Sequence, residues 1–226
     1  MAASATLSDL QTRARQRSDM VNSSFISDAE LLSMINSSYA ELYDLMVQTY
    51  EDYYITSSTF TLTSSDSGVE ALPADFSKLK GVDYSVGGDY ISLYPYNWNT
   101  RNDRQYNRRV RTDYNRTYKI LGSNLRIEPR DNATGDYQLW YIPSFTPLVS
   151  TTDIVDSQMT RNGWEEYIVV DVAIKMLAKE ESNTAHLLLE KQNLKRRLEA
   201  AAGDRDADQP EYISDVNRQP DGYWDY

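Results

Sequence analysis

The chain has 226 residues, 40% of them hydrophobic and 25% charged, enough for one sizeable core or a core with a smaller appended layer. Its formal charge of −11 works against tight phosphate binding, and the absence of cysteine excludes disulfides, thiolate chemistry and cysteine-based metal sites. Eighteen tyrosines against four phenylalanines suit surfaces that become half-buried between subunits.

No apolar run reaches the roughly 20 residues that span a bilayer. The opening "MAASATLSDLQTRARQRSDM" lacks the apolar centre of a signal peptide, so the chain is read as cytoplasmic at synthesis. Those residues predict a short polar helix capped by Ser8 and anchored by Leu10. Ser27 and Glu30 then stand at capping-box spacing. Leu31, Ile35, Tyr39, Leu42 and Met46 recur at helical period, which predicts one long amphipathic helix over 27 to 54.

From Ile55 the period becomes two. "ITSSTFTLTSSDSGVEALP" predicts strands broken by Ser-Asp-Ser-Gly, as in a hairpin, and "LPADFSKLKGVDYSV" a proline-started turn of helix and a further strand. "DYISLYPYNW" follows Gly87-Gly88, two short strands flank Gly122-Ser123-Asn124, and "GDYQLWYIP" closes at Pro143. Residues 144 to 163 read as a loop. "WEEYIVVDVAIKMLAKEES" is apolar nearly all round, at Trp164, Tyr167, Ile168, Val170, Ala173, Ile174 and Leu177, and predicts a helix between other layers. A last helix follows a turn of one to three residues, with Glu190, Lys191, Lys195, Arg196 and Arg197 on its outer face and Gly203 as its stop.

The expected fold class is α+β: a helical core from the N-terminal and C-terminal helices, an inserted antiparallel β region and an extended C-terminal tail. The divisions are 1–54 for the N-terminal helices, 55–143 for the β region, 144–203 for the connecting loop and helical hairpin, and 204–226 for the tail. That last segment has seven acids against Arg205 and Arg218, two prolines and no period, and is expected to be disordered in the free subunit. Its Tyr212, Ile213, Tyr223, Trp224 and Tyr226 are of the kinds that anchor a segment folding onto a partner.

No residue pattern forms a catalytic, cofactor or metal site. His186 has no oriented companion in the local sequence, Glu165-Glu166 and Glu180-Glu181 diverge by about 100° on a helix, and Gly87-Gly88 lacks the setting of a phosphate loop. The strip "WNTRNDRQYNRRVRTDYNRTYK" (98–119) carries Arg101, Arg104, Arg108, Arg109, Arg111 and Arg116 plus Lys119 against two aspartates. It has three readings: a solvated loop, a docking surface for an acidic neighbour that uses the bidentate Arg fork, or a nucleic-acid contact. No nucleic-acid-reading motif frames the arginines, which favours acidic neighbours over a reader of sequence.

The order "SDAELLSMINSSYAELYDLMV", "ALPADFSKLKGVDY", "LGSNLRIEP", "YQLWYIPSFTPL", "NGWEEYIVVDVAIKMLAKEES" resembles the head-to-tail adaptors of tailed bacteriophages, above all the tail accessory factor family of short-tailed phages, over roughly residues 7 to 215. The resemblance implies a homo-oligomeric ring, commonly of twelve subunits, under the portal protein at the head–tail junction of the virion. Such a ring is assembled in the host cytoplasm, extends the DNA channel without reading sequence, and presents a platform to a downstream tail or nozzle protein. The residues themselves point to no cofactor, no membrane span and no enzyme, and the resemblance is silent on enzymatic activity. Two alternatives stand beside it: a peptidoglycan hydrolase, since some relatives are credited with that cleavage although no catalytic carboxylates match here, and a DNA-contacting packaging factor.

Overall fold

The computed structural model describes residues 5–22, 24–100, 116–160 and 162–203. Helix α1 (Leu7–Arg17) starts at Thr6, not Ser8: Thr6 Oγ1 accepts from the Asp9 N–H at 3.2 Å, and the Asp9 carboxylate accepts from the Thr6 N–H at 3.0 Å. This reciprocal box uses aspartate where glutamate is usual, which hides it from a search for the common pattern. Helix α2 (Asp28–Thr49) is capped by Ser27 as its spacing predicts, and Leu31, Ile35, Tyr39, Leu42 and Met46 are all buried. It ends before 54 because Tyr50 turns extended, at φ −153°, and Glu51–Tyr54 continue as a 3-10 turn.

Eight strands follow among the described residues: β1 (Thr56–Leu62), β2 (Val69–Ala71), β3 (Phe76–Val86), β4 (Asp89–Ser92), β5 (Tyr94–Pro95), β6 (Thr117–Leu121), β7 (Asn124–Glu128) and β8 (Gly135–Pro143). They make two four-stranded sheets, ordered β1-β8-β3-β4 and β2-β7-β6-β5. Gly87-Gly88 turns β3 into β4, and Gly122-Ser123 turns β6 into β7. The Ser-Asp-Ser-Gly break does not make a hairpin: β1 and β2 lie in different sheets, so the break is a crossing between layers. The proline-started segment is a simple turn, closed by the Phe76 N–H on Pro73 O, and not helical. Pairing is antiparallel except between β5 and β6, which run parallel with Tyr94 beside Thr117.

The chain returns through 144–156 to a short helix α3 (Ser157–Thr160), then α4 (Glu166–Lys179) and α5 (Ala185–Gly203). Strand-like hydrogen bonds tie that return to the start of the chain, Leu7 N–H to Asp153 O at 2.9 Å and Val155 N–H to Ala5 O at 2.9 Å. Asn36 on α2 holds Leu148 by both backbone groups, at 2.9 and 2.8 Å.

Three hydrophobic clusters result among the described residues, a small one of Val170, Ala173 and Leu187 between α4 and α5 and two larger ones. The larger of these two joins Leu10, Ala14, Leu31, Ile35, Leu42 and Met46 to Tyr167, Ile168, Val172 and Met176, so the two ends of the chain pack on one another and the β region is inserted between them. The smaller joins Leu62, Val82, Leu125, Ile127, Tyr137 and Leu139 between the sheets. Ile142, near the end of β8, belongs to the helical cluster, while Tyr137 and Leu139 of the same strand belong to the other. In α4 the buried set is wider than the sequence indicates: Val169, Asp171, Val172 and Met176 are enclosed, whereas Ile174 and Leu177 are half-buried against α5.

Candidate functional site

Five arginines of the basic strip, Arg101, Arg104, Arg108, Arg109 and Arg111, lie outside the described residues, as do Tyr212, Ile213, Tyr223, Trp224 and Tyr226 of the C-terminal segment. The described ends of the strip explain its length. Parallel neighbours cannot be joined by a tight turn, because the chain must travel back the length of a strand before pairing again. The strip is that crossover, between β5 and β6.

Arg116 closes the crossover and is spent inside the molecule. It is 4% exposed; its Nε donates to Asn132 O at 2.6 Å, its Nη2 donates to Thr134 O at 3.2 Å, and its guanidinium lies 3.6 Å over the Tyr84 ring. A guanidinium pinned to two carbonyls and an aromatic face fixes the loop between β7 and β8 and is not presented to a neighbour. This differs from its expected place in the docking surface. The sequence places Arg116 with the other five by proximity alone.

Beside the crossover lies an exposed aromatic edge. β4 ends one sheet and β5 ends the other, and the two are consecutive in the chain. Tyr90 and Tyr94 are 54% and 78% exposed and Trp98 is 40% exposed, whereas Leu93 and Tyr96 between them are buried. The buried Leu93 and Tyr96 pin the run to the body, while Tyr90 and Tyr94 turn outward. Exposed aromatics on sheet edges are positions at which a second chain can pack or pair.

Sequence reasoning missed a polar clasp in the helical layer. Asp171, 4% exposed in the apolar run of α4, accepts from Ser38 Oγ at 2.6 Å, Lys175 Nζ at 2.8 Å and Lys191 Nζ at 2.8 Å. Burial pushes its carboxyl up, but the bonds from Lys175, Lys191 and Ser38 outweigh this and hold it below its ordinary value. Lys191 donates also to Glu41, which accepts from the Tyr167 hydroxyl at 2.6 Å. Burial lowers the Lys191 ammonium; its bonds to Asp171 and Glu41 more than reverse this and raise it. Lys191, expected on the outer face of α5, therefore points inward and joins α2, α4 and α5. One signal was available: a lone aspartate in "IVVDVAI".

The other expected positions behave as ordinary structure. Glu165 and Glu166 both face Arg13 of α1, at 3.5 and 2.5 Å, as charges at a helix start. His186 is exposed on α5 and Glu180 and Glu181 are exposed at the turn between helices. Among the described residues no group of three or more His, Asp and Glu side chains could hold a metal ion, and no helix is long and apolar enough to cross a membrane.

The profile of the SU10 adaptor protein family matches residues 5–219, nearly the whole chain, and the protein belongs to that family of phage head–tail adaptors. No curated protein matches the chain.

Proposed function

We propose that this member of the SU10 adaptor family is a non-enzymatic structural subunit that assembles with its copies into a ring, of twelve subunits, beneath the portal, where it extends the DNA channel and receives the next tail component. The observation that carries the proposal is the joint placement, in a chain of that family, of an exposed aromatic sheet edge at Tyr90 and Tyr94 and the basic crossover that begins beside Trp98. Tyrosine edges supply contact area at low conformational cost, and the arginines of the crossover, Arg101, Arg104, Arg108, Arg109 and Arg111, supply bidentate partners for acids on a neighbour. The C-terminal segment supplies both acids and apolar or aromatic anchors, Tyr212, Ile213, Tyr223, Trp224 and Tyr226, and is the part we assign to the portal. A net charge of −11 per subunit favours a channel along which DNA slides without adhering.

Electron microscopy of the purified chain mixed with its cognate portal tests the proposal. The expected result is a ring bound to the portal, formed from subunits that associate weakly alone. Failure to bind that portal, or binding as isolated subunits, overturns it.

A further inference from the structure

The outward face of α5 is covered by nothing in the described residues. Leu187, Lys191, Leu194 and Leu198 turn toward the body, while Leu188 and Leu189, 45% and 63% exposed, stand on the opposite side with Gln192, Lys195 and Arg196. A helix in a molecule of net charge −11 thus carries an exposed leucine pair near its start and exposed basic residues one to two turns further on, with Glu199 beside Lys195 at 3.9 Å.

We infer that this face is the seat, in the unassembled subunit, of the chain's own residues 204–213. Three features of the molecule select that occupant. The segment begins where α5 ends, at Gly203, a residue that permits the chain to reverse. Its charge is complementary: Asp204, Asp206, Asp208 and Glu211 against Arg205 on one side, Lys195 and Arg196 on the other. Its length matches as well. From Gly203 back to Leu188 is about 22 Å along a helix rising ~1.5 Å per residue. Extended chain covers ~3.3 Å per residue. After a reversal at the helix end, acids of the first half of the segment pass Arg196 and Lys195, and Tyr212 and Ile213 arrive beside Leu189 and Leu188.

The consequence is competition. A portal that recruits Tyr212 and Ile213 must first lift them from α5, so the unassembled subunit hides part of its own docking element. The inference rests on the folded subunit alone and stands or falls separately from portal binding.

Hydrogen–deuterium exchange of the full-length chain, without portal, tests it. Residues 204–213 are expected to exchange more slowly than in the urea-unfolded chain. That protection should be lost in Lys195→Glu/Arg196→Glu and in Leu189→Ser, while the amides of α5 itself keep theirs, and it should weaken with added salt. Exchange of 204–213 at the unfolded rate in the wild-type chain overturns the inference. So does protection unaffected by both variants, and so does protection that grows with protein concentration, which would assign the face to a second copy.

Discussion

At the scale of single residues, Asp171 gathers the most consequence. Removing its charge with Asp171→Asn leaves Lys175 and Lys191 facing each other across a half-dry site, at an expected loss of about 2 to 3 kcal/mol in denaturant unfolding; both lysines keep partial access to water, which softens the cost. The sign of its pH dependence is fixed. A carboxyl held below its ordinary value contributes fully above the unfolded aspartate value near 3.9 and loses that contribution as pH falls through the folded value. Wild type and Asp171→Asn should therefore converge in stability as the pH is lowered below about 4, and a constant gap down to pH 2 would refute the clasp. Gly135 is the second such residue: its φ is +138°, and a Cβ there would stand 2.6 Å from a ring carbon of Tyr84, the same ring that carries Arg116. Gly135→Ala is expected to cost at least about 2 kcal/mol and to loosen the loop that Arg116 holds, seen as faster amide exchange at Asn132 and Thr134. The role of Gly135 was not readable in the sequence, because it depends on Tyr84, about 50 residues away, and of the clasp only the lone aspartate showed, since Ser38 stands 133 residues from it; the cap at Ser27 depends on a neighbour three residues on.

Among elements, helices were more legible than strands. The apolar stripe of α2 names its own buried face, since 3.6-residue periodicity records which side meets the core. Strand positions were also legible, because Gly-Gly, Gly-Ser-Asn and proline mark turns. Pairing was not: the sheet in which a strand settles depends on partners distant in sequence, so β1 and β2 read locally as a hairpin yet lie in different sheets. The parallel β5–β6 pair had no local signal, yet it is what obliges the basic crossover to be long. The edges β4 and β5 carry the assembly prediction. Tyr90→Ser with Tyr94→Ser should leave thermal stability of the subunit within about 0.5 kcal/mol, as expected for exposed positions, and should reduce ring formation in sedimentation or microscopy. Ring formation at wild-type level would remove this edge from the interface. Charge reversal at Arg108 and Arg109 is the companion test of the crossover: assembly and tail attachment are expected to weaken, and no change in either would return the strip to a solvated loop.

For the whole molecule, the order of elements carried more information than any motif. Helices from both ends of the chain pack on one another around an inserted β region. Deleting residues 210–226 is expected to weaken attachment to the portal while leaving the folded body intact, measured as retention of the truncated chain on purified portal; full retention would assign portal contact elsewhere.

The strand β8 bears on how this body responds to force. It pairs with both β1 and β3, its Tyr137 and Leu139 fill the β cluster, its Ile142 enters the helical cluster, and the Tyr43 hydroxyl of α2 bonds Pro143 O at 2.6 Å. One stiff span of nine residues is thus a shared beam between two cores. Calorimetry should show a single melting peak with equal calorimetric and van't Hoff enthalpies, where two independent cores would give two. A load applied at the β4 edge has a continuous path to the helices, through β3 and along this beam.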